Sequence, residues 1–210
     1  MQKRIRKGLT PARILDVAYA LVDKEGAEAL SMRRLAASLG VAPMALYNHF
    51  SDRDNLLNAL ADRALESAAV HKGHGNWRQK LTSIVEGVHR LALRHPHLYA
   101  LAMTRPTKPS AAFALMSSAM AALREAGLSD LEVINWYHTF LLLLQGYPSW
   151  SGSMARYGES TNIMPLNVKA PAGLARDLKL LHSVNAERQF KRSLKVLLDA
   201  LELQANSARD

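Results

Sequence analysis

Cysteine is absent from the 210-residue sequence, and this absence excludes a disulfide framework and thiolate chemistry. Aromatic residues make up only 6% of the chain. The basic N-terminus, MQKRIRKG, is not followed by an apolar segment, so no secretory signal peptide is predicted. The most apolar run, Trp136 to Leu144, is too short to cross a bilayer. We therefore expect a soluble cytoplasmic protein with no membrane partner.

Positive charge is concentrated at the start of the chain. The net charge is +9, and Lys3, Arg4, Arg6 and Lys7 all precede the first acidic residue, Asp16. A short basic arm of this kind attracts phosphates, which favours a nucleic-acid partner. A solvated terminus that only aids solubility is the alternative interpretation.

Helical periodicity runs through nearly the whole chain, and the alternation typical of strands is missing. With 49% hydrophobic and 21% charged residues, the composition is that of an ordered globular protein. We predict an all-α fold with a small basic domain over residues 1–70 and a larger apolar domain over residues 71–210. Towards the C-terminus we expect a helix ending near residue 145, a long loop over 151–172, and last helices at 173–183 and 186–205.

Capping residues mark the predicted helix starts. Thr10, followed by a proline, and Ser31 each precede an apolar stripe of helical period. Ser51 with Asp54, and Ser129 with Glu132, have the spacing of a capping box. These signals place four helix starts.

Two short predicted helices, 32–39 and 43–49, are separated by the turn Gly40-Val41-Ala42. Helix, short glycine-containing turn and helix is the helix-turn-helix arrangement, which lays its second helix in the major groove of DNA. A plain helical hairpin is the alternative. Pro43 opens the second helix, and the residues expected to point outward from it are Met44, Ala45, Tyr47, Asn48 and His49, flanked by Arg33 and Arg53.

The sequence of this segment resembles the DNA-binding domain of the tetracycline-repressor (TetR) family. The resemblance rests on Leu30-Ser31-Met32-Arg33-Arg34-Leu35-Ala36, Leu39-Gly40-Val41 and Leu46-Tyr47-Asn48-His49-Phe50, and it extends from about Thr10 to Leu65. It implies a homodimeric bacterial repressor that binds a palindromic operator in double-stranded DNA and is released when a small molecule enters the C-terminal domain. The DNA-contacting residues that it implies, with the basic arm, are Lys3, Arg4, Arg6, Lys7, Thr10, Ser31, Arg33, Pro43, Met44, Ala45, Tyr47, Asn48, His49 and Arg53.

By this resemblance, Arg33 and Met44 approach bases, whereas Tyr47, His49 and Arg53 hold phosphates. Many family members carry Ser or Thr where Ala42 and Pro43 stand here. Base readout by Met44 and Ala45 is therefore expected to be largely apolar, against thymine methyl groups. Which bases are read is left open.

The C-terminal half resembles the drug-binding half of the tetracycline repressor at Thr104-Arg105-Pro106 and in the spacing from Gly127 to Gly146. Leu101 and Trp150 stand at the aligned positions of a His and a Glu that help to hold its magnesium–drug complex. Neither side chain can ligate a hard cation, so no metal or cofactor is predicted. The aromatic and Met side chains expected to line the pocket favour a largely apolar effector. The predicted pocket residues are Leu101, Met103, Phe113, Met116, Trp136, His138, Phe140 and Trp150.

The homodimer is predicted to form through the helix that follows Ser129 and through the last helix, with Leu194 and Leu198 in the contact. Basic residues along the last helix are interpreted as a solvated rim rather than a second nucleic-acid face. A DNA-binding regulator without an effector, whose C-terminal domain serves only to dimerise, stays an alternative. An enzyme is disfavoured, because no nucleophile elbow, P-loop or dinucleotide fingerprint occurs.

Histidines are the remaining candidates for site chemistry. The pairs His95 with His97 and His71 with His74 suggest a metal site, but zinc needs four ligands and the chain has no cysteine. Solvated or capping histidines are the favoured interpretation. For His138, a hydrogen-bonded core position is weighed against a ligand contact.

Overall fold

The computed structural model describes residues 8–69, 75–105, 111–156, 174 and 185–207. Within these ranges it describes the side chains of all residues except 148–156. Within them the chain forms α-helices and one 3-10 turn, with no strand, which confirms the all-α prediction. No helix among these residues is both long and apolar enough to span a bilayer. The helices are α1 (Pro11–Glu25), α2 (Met32–Leu39), α3 (Pro43–Tyr47), α4 (Arg53–Ala68), α5 (Trp77–Arg94), α6 (Pro96–Thr104), α7 (Ala111–Glu125), α8 (Asp130–Arg156) and α9 (Ala186–Ser207).

The chain divides into two compact units. The first comprises Met1–Lys72 and Glu86–Ser118, and the second comprises Gly73–Val85 and Ala119–Asp210. The first unit therefore holds α6 as well as α1 to α4, because α6 packs against α4 and α1. The boundary that we predict at residue 70 stays a prediction about domains. The two divisions differ because residues 86–118 belong to the first compact unit, together with the N-terminal helices.

Leucines and other aliphatic residues fill the core of the first unit. The fully buried ones include Ile14, Val22, Leu35, Leu46, Leu56, Leu57, Leu60 and Leu98. Gly87 of α5 lies so close to the end of α4 that an added Cβ would stand 2.4 Å from the carbonyl oxygen of Ala68. Only glycine allows this approach of the two backbones.

Three of the four predicted helix starts are confirmed. The Thr10 and Ser31 hydroxyls accept hydrogen bonds from the N–H groups of Arg13 and Arg34, at 3.3 and 3.2 Å. The Ser129 amide and hydroxyl both donate to the Glu132 carboxylate, at 2.8 and 2.6 Å, so the glutamate half of that capping box is formed at the start of α8.

The predicted Ser51 cap is wrong. Asp52 is the N-cap of α4, and its Oδ1 accepts from the N–H of Asn55 at 2.7 Å. Ser51 instead donates from its hydroxyl to the other oxygen of Asp52, at 3.0 Å. The carboxylate caps because its negative charge also interacts favourably with the helix N-terminus.

The predicted end of α8 near residue 145 is also wrong. The loop predicted over 151–172 is wrong for residues 151–156, which are helical. The helix continues through Gly146 and Pro148 to Arg156. Tyr147 is buried and its ring lies edge-on against that of Phe190 in α9, with centroids 5.0 Å apart. This tertiary packing overrides two residues of low helix propensity. Residues 157–172 and the helix predicted at 173–183 lie outside the described residues, apart from residue 174.

Candidate nucleic-acid interface

The turn between α2 and α3 depends on the backbone of Gly40. This residue has a left-handed conformation, with φ 69° and ψ 35°, and its N–H donates to carbonyl oxygens of the last turn of α2. The N–H of Val41 then donates to the carbonyl of Ala36 at 3.0 Å. A side chain at position 40 would be strained, so glycine is what ends α2 and turns the chain. The predicted helix-turn-helix is present.

Helix α3 presents one face to the core and the other to solvent. It is shorter than predicted, since regular α-helix ends at Tyr47 and a turn follows through His49. Leu46 is fully buried, and Phe50 beyond the turn is buried as well. Successive helical residues are rotated by about 100°, so Met44 lies roughly opposite Leu46. Met44 is accordingly 73% exposed.

The polar side chains at the end of α3 are also exposed. Tyr47 is 44% exposed, and Asn48 and His49 are exposed at the following turn. Within the described part of the chain, none of these three side chains forms an intramolecular hydrogen bond. Their donors and acceptors are therefore available to an external partner. Pro43 is exposed beside them, and Ala45 is half-buried.

Three arginines near the helix-turn-helix differ in what their guanidinium groups contact. Arg34 binds both carboxylate oxygens of Glu25, at 2.8 and 2.9 Å. Arg53 donates from Nε to the carbonyl of Leu30 and from Nη2 to that of Ala27, both at 2.7 Å. Arg33 is exposed, and among the described residues it has no hydrogen bond or ion pair. Arg33 is thus the one of these three whose charge is not already used within the fold.

The assignment of Arg53 to a phosphate stays a prediction, but its geometry adds a structural role. Its two hydrogen bonds connect the start of α4 to the carbonyls around the 3-10 turn at Ala27–Ala29. Those carbonyls would lose a partner without it. Thr10 and Ser31 can likewise cap a helix and contact DNA at the same time. Each hydroxyl oxygen accepts the capping hydrogen bond, and its O–H can still donate to a phosphate. Lys3, Arg4, Arg6 and Lys7 lie outside the described residues.

The ion pair between Arg105 and Asp54, within the first unit, could not be predicted from local sequence. The guanidinium of Arg105, at the end of α6, donates to the carboxylate of Asp54 at 2.6 Å and to the side-chain oxygen of Asn58 at 3.0 Å. It thereby attaches α6 to the first turns of α4, which follows α3 directly in the chain. Fifty-one residues separate Arg105 from Asp54, so only the packing of α6 on α4 reveals the pair.

The candidate pocket residues fall into both units. In the first unit, Leu101 is buried, Met103 and Met116 are half-buried, and Phe113 is 53% exposed. In the second unit, Phe140 is buried, and Trp136 is half-buried with its indole N–H donating to the side chain of Gln204 at 3.0 Å. His138 is exposed, so the core position considered for it is wrong. The side chain of Trp150 lies outside the described residues.

The described histidines do not form a metal centre. No cluster of three or more His, Cys, Asp or Glu occurs within the described ranges. His95 Nδ1 lies 2.8 Å from the carboxylate of Asp23, and the ring of His97 lies against Gly26. Both histidines thus pack against the end of α1. His71 and His74 lie outside the described residues.

The geometry of the helix-turn-helix agrees with comparisons against known proteins. Residues 14–60 match the family described as "Bacterial regulatory proteins, tetR family", and residues 70–205 match "Tetracyclin repressor-like, C-terminal domain". The chain belongs to the TetR family. TetR proteins are transcriptional regulators and not enzymes, which confirms both the resemblance and the non-enzymatic prediction.

Individual TetR relatives include the HTH-type transcriptional repressor DrrR1 of Streptomyces coeruleorubidus, 32% identical over 66% of this chain and 51% of that protein. The chain thus spans about half the length of DrrR1. The tetracycline repressor class C of Escherichia coli is 29% identical over 94% of this chain and 92% of that protein. Among solved structures, apo ActR of Streptomyces coelicolor is 27% identical with a TM-score of 0.75, covering 95% of this chain and 98% of ActR.

Proposed function

We propose that this TetR-family protein is a transcriptional repressor that binds a palindromic operator as a homodimer and is released by a largely apolar small molecule. The observation that carries the DNA-binding part is the exposed face of α3. It presents Met44 and Tyr47 on a helix whose opposite side is buried, and exposed Asn48 and His49 follow in the next turn. Arg33 in α2 is also exposed and has no hydrogen bond or ion pair among the described residues. A helix such as α3 has the size and chemistry that the major groove accepts.

The exposed face of α8 and α9 supports a homodimer. Leu131 and Leu142 of α8 are 72% and 69% exposed, and Val196 and Leu203 of α9 are 58% and 70% exposed. Exposed aliphatic side chains on two helices that pack together favour burial against a second copy of the chain. Leu194 and Leu198, which we predict in the dimer contact, are buried within the second unit instead, so they do not belong to this exposed face.

Two twofold-related α3 helices would then read half-sites one duplex turn apart, at roughly 34–36 Å. The test is binding-site selection with the purified full-length chain, followed by footprinting of the enriched duplex. A palindromic footprint with this spacing is the expected result. Tyr47→Ala should weaken binding to all sequences alike, because we assign Tyr47 to phosphate. Equal binding by the variant at physiological salt would contradict our orientation of α3.

The effector proposal draws on relatives as well as on residues. ActR has been solved with actinorhodin and with (S)-DNPA, and it is 27% identical to this chain. Leu101 of the candidate pocket is buried and cannot ligate a cation, which favours release without a metal. A regulator that uses its C-terminal domain only to dimerise is the alternative function.

A thermal-shift screen with aromatic and lipophilic compounds, each with and without magnesium and a chelator, tests the effector. We expect a hit that raises the melting temperature and also releases the operator, with no effect of the chelator. A ligand acts by preferring the conformation that no longer matches the operator, so stabilisation without release would count against it. Release that requires magnesium would overturn the apolar assignment of the pocket.

A further inference from the structure

Helix α3, which we propose reads bases, carries no charged side chain. Between Arg34 and Asp52 the sequence contains no Asp, Glu, Lys or Arg. This stretch includes the end of α2, the turn and all of α3. Arginine and lysine are the side chains that most often read guanine, and carboxylates accept from cytosine. Helix α3 therefore offers neither of the charged pairings with a G·C pair, and the charged side chain expected near the bases, Arg33, belongs to α2 instead.

Met44 occupies the centre of the exposed face. It is 73% exposed, more than any other large apolar side chain in the described part of the chain. Because about 100° separates successive residues, Tyr47 and Asn48 lie on either side of it and Leu46 lies behind it. Among the groups in the major groove, the C5 methyl of thymine is the one that an unbranched apolar side chain can contact favourably.

We propose that Met44 determines operator specificity by packing on a thymine methyl group in each half-site. This inference rests on the proposed function and adds the class of base that is read. The neighbouring Asn48 amide has the donor and acceptor that an adenine edge requires, and it has no intramolecular partner among the described residues. Met44 and Asn48 together select A·T pairs at the positions opposite α3.

Uracil tests the proposal, because it differs from thymine only by that methyl group. An operator is first selected with the full-length protein, and each thymine is then replaced by uracil, one symmetric pair at a time. Binding by the wild-type protein should weaken about fourfold per half-site at one position, the equivalent of about 0.8 kcal/mol for one buried methyl-sized group. Thymines outside the footprint provide the control.

The same uracil series with Met44→Ala and Met44→Gln assigns the effect to this residue. Glutamine preserves the length of the side chain and removes its apolar end. The sensitive thymine should become insensitive in both variants, each measured at low salt so that binding persists. Leu93→Ala is the matched control: Leu93 is an apolar residue of α5 that is 48% exposed, and its variant should retain the full methyl dependence.

The outcomes separate the proposal from the function on which it rests. The assignment of Met44 is wrong if an operator is selected but no replacement of thymine by uracil weakens binding. It is also wrong if Met44→Ala and Met44→Gln both retain the effect of uracil. In either case the proposed function of the protein as a repressor still stands. If no duplex is enriched at all, the proposed function fails and this inference fails with it.

Discussion

Exposed apolar side chains occur both on α3 and on α8 and α9, but their surroundings differ. On α3 a single large apolar side chain, Met44, is surrounded by tyrosine, asparagine and histidine. On α8 and α9 the exposed aliphatic residues recur at helical spacing along both helices. One apolar side chain among polar neighbours suits a hydrated groove with scattered methyl groups, whereas several exposed aliphatic side chains on two helices suit another apolar surface. Neighbouring chemistry therefore distinguishes the two kinds of partner.

The largest expected effect comes from replacing exposed leucines of α8 and α9. Leu142→Asp together with Leu203→Asp should produce monomers, because four exposed leucines per dimer lose their burial, roughly 6–12 kcal/mol at about 1.5–3 kcal/mol each. Sedimentation velocity measures the change, and operator binding should disappear with the dimer. Leu93→Asp, at an exposed leucine of α5, should still sediment like the wild-type protein. A dimer that survives the double substitution would move the interface elsewhere.

A substitution on each side of α3 sharpens the contrast between its two faces. Leu46→Ala should lower the free energy of unfolding by about 2–5 kcal/mol, because Leu46 is fully buried. Met44→Ala should change it by less than about 0.5 kcal/mol, because Met44 projects into solvent. Denaturant titration of both variants gives the comparison. Similar losses of stability in the two variants would show that Met44 is packed against the protein.

Arg53→Lys tests whether this residue holds the fold, the DNA or both. One ammonium cannot reproduce the two hydrogen bonds to the carbonyls of Leu30 and Ala27, so we expect a loss of about 1–3 kcal/mol in stability. The positive charge is retained, so the salt dependence of DNA binding should be little changed. Unfolding and binding are measured on the same preparation. Unchanged stability would show that the carbonyl contacts contribute little.

The smallest expected effect is a pH dependence at the start of α8. Hydrogen bonds from the side chain and backbone of Ser129, and then from Gln204 in α9, hold the pKa of Glu132 below its usual 4.5. A lowered pKa in the folded protein stabilises it above pH 4.5, and this contribution is lost as the pH falls through the folded value. Glu132→Gln should therefore be less stable than wild type near neutrality, and the difference should shrink in acid. Melting curves across this range measure it, and a constant difference would contradict the linkage.

Local chemistry was sufficient to predict most of the N-terminal region. The helix caps at Thr10 and Ser31, the turn at Gly40 and the proline at the start of α3 are each recognisable within a few residues. They act through hydrogen bonds and backbone angles that involve near neighbours in the chain. The choice of Asp52 over Ser51 as the cap of α4 was missed because adjacent residues compete for the same position.

The sequence by itself determined the all-α class, the helix-turn-helix and the family, because these depend on periodicity, caps and a contiguous motif. Only the tertiary structure decided the length of α8, the burial of Leu194 and Leu198, and the separate roles of Arg33, Arg34 and Arg53. Each of these depends on residues far apart in the chain, such as Phe190 against Tyr147 or Leu30 beside Arg53. Helical periodicity shows which side of a helix is apolar, but only the packing of other elements shows which of its apolar residues are covered.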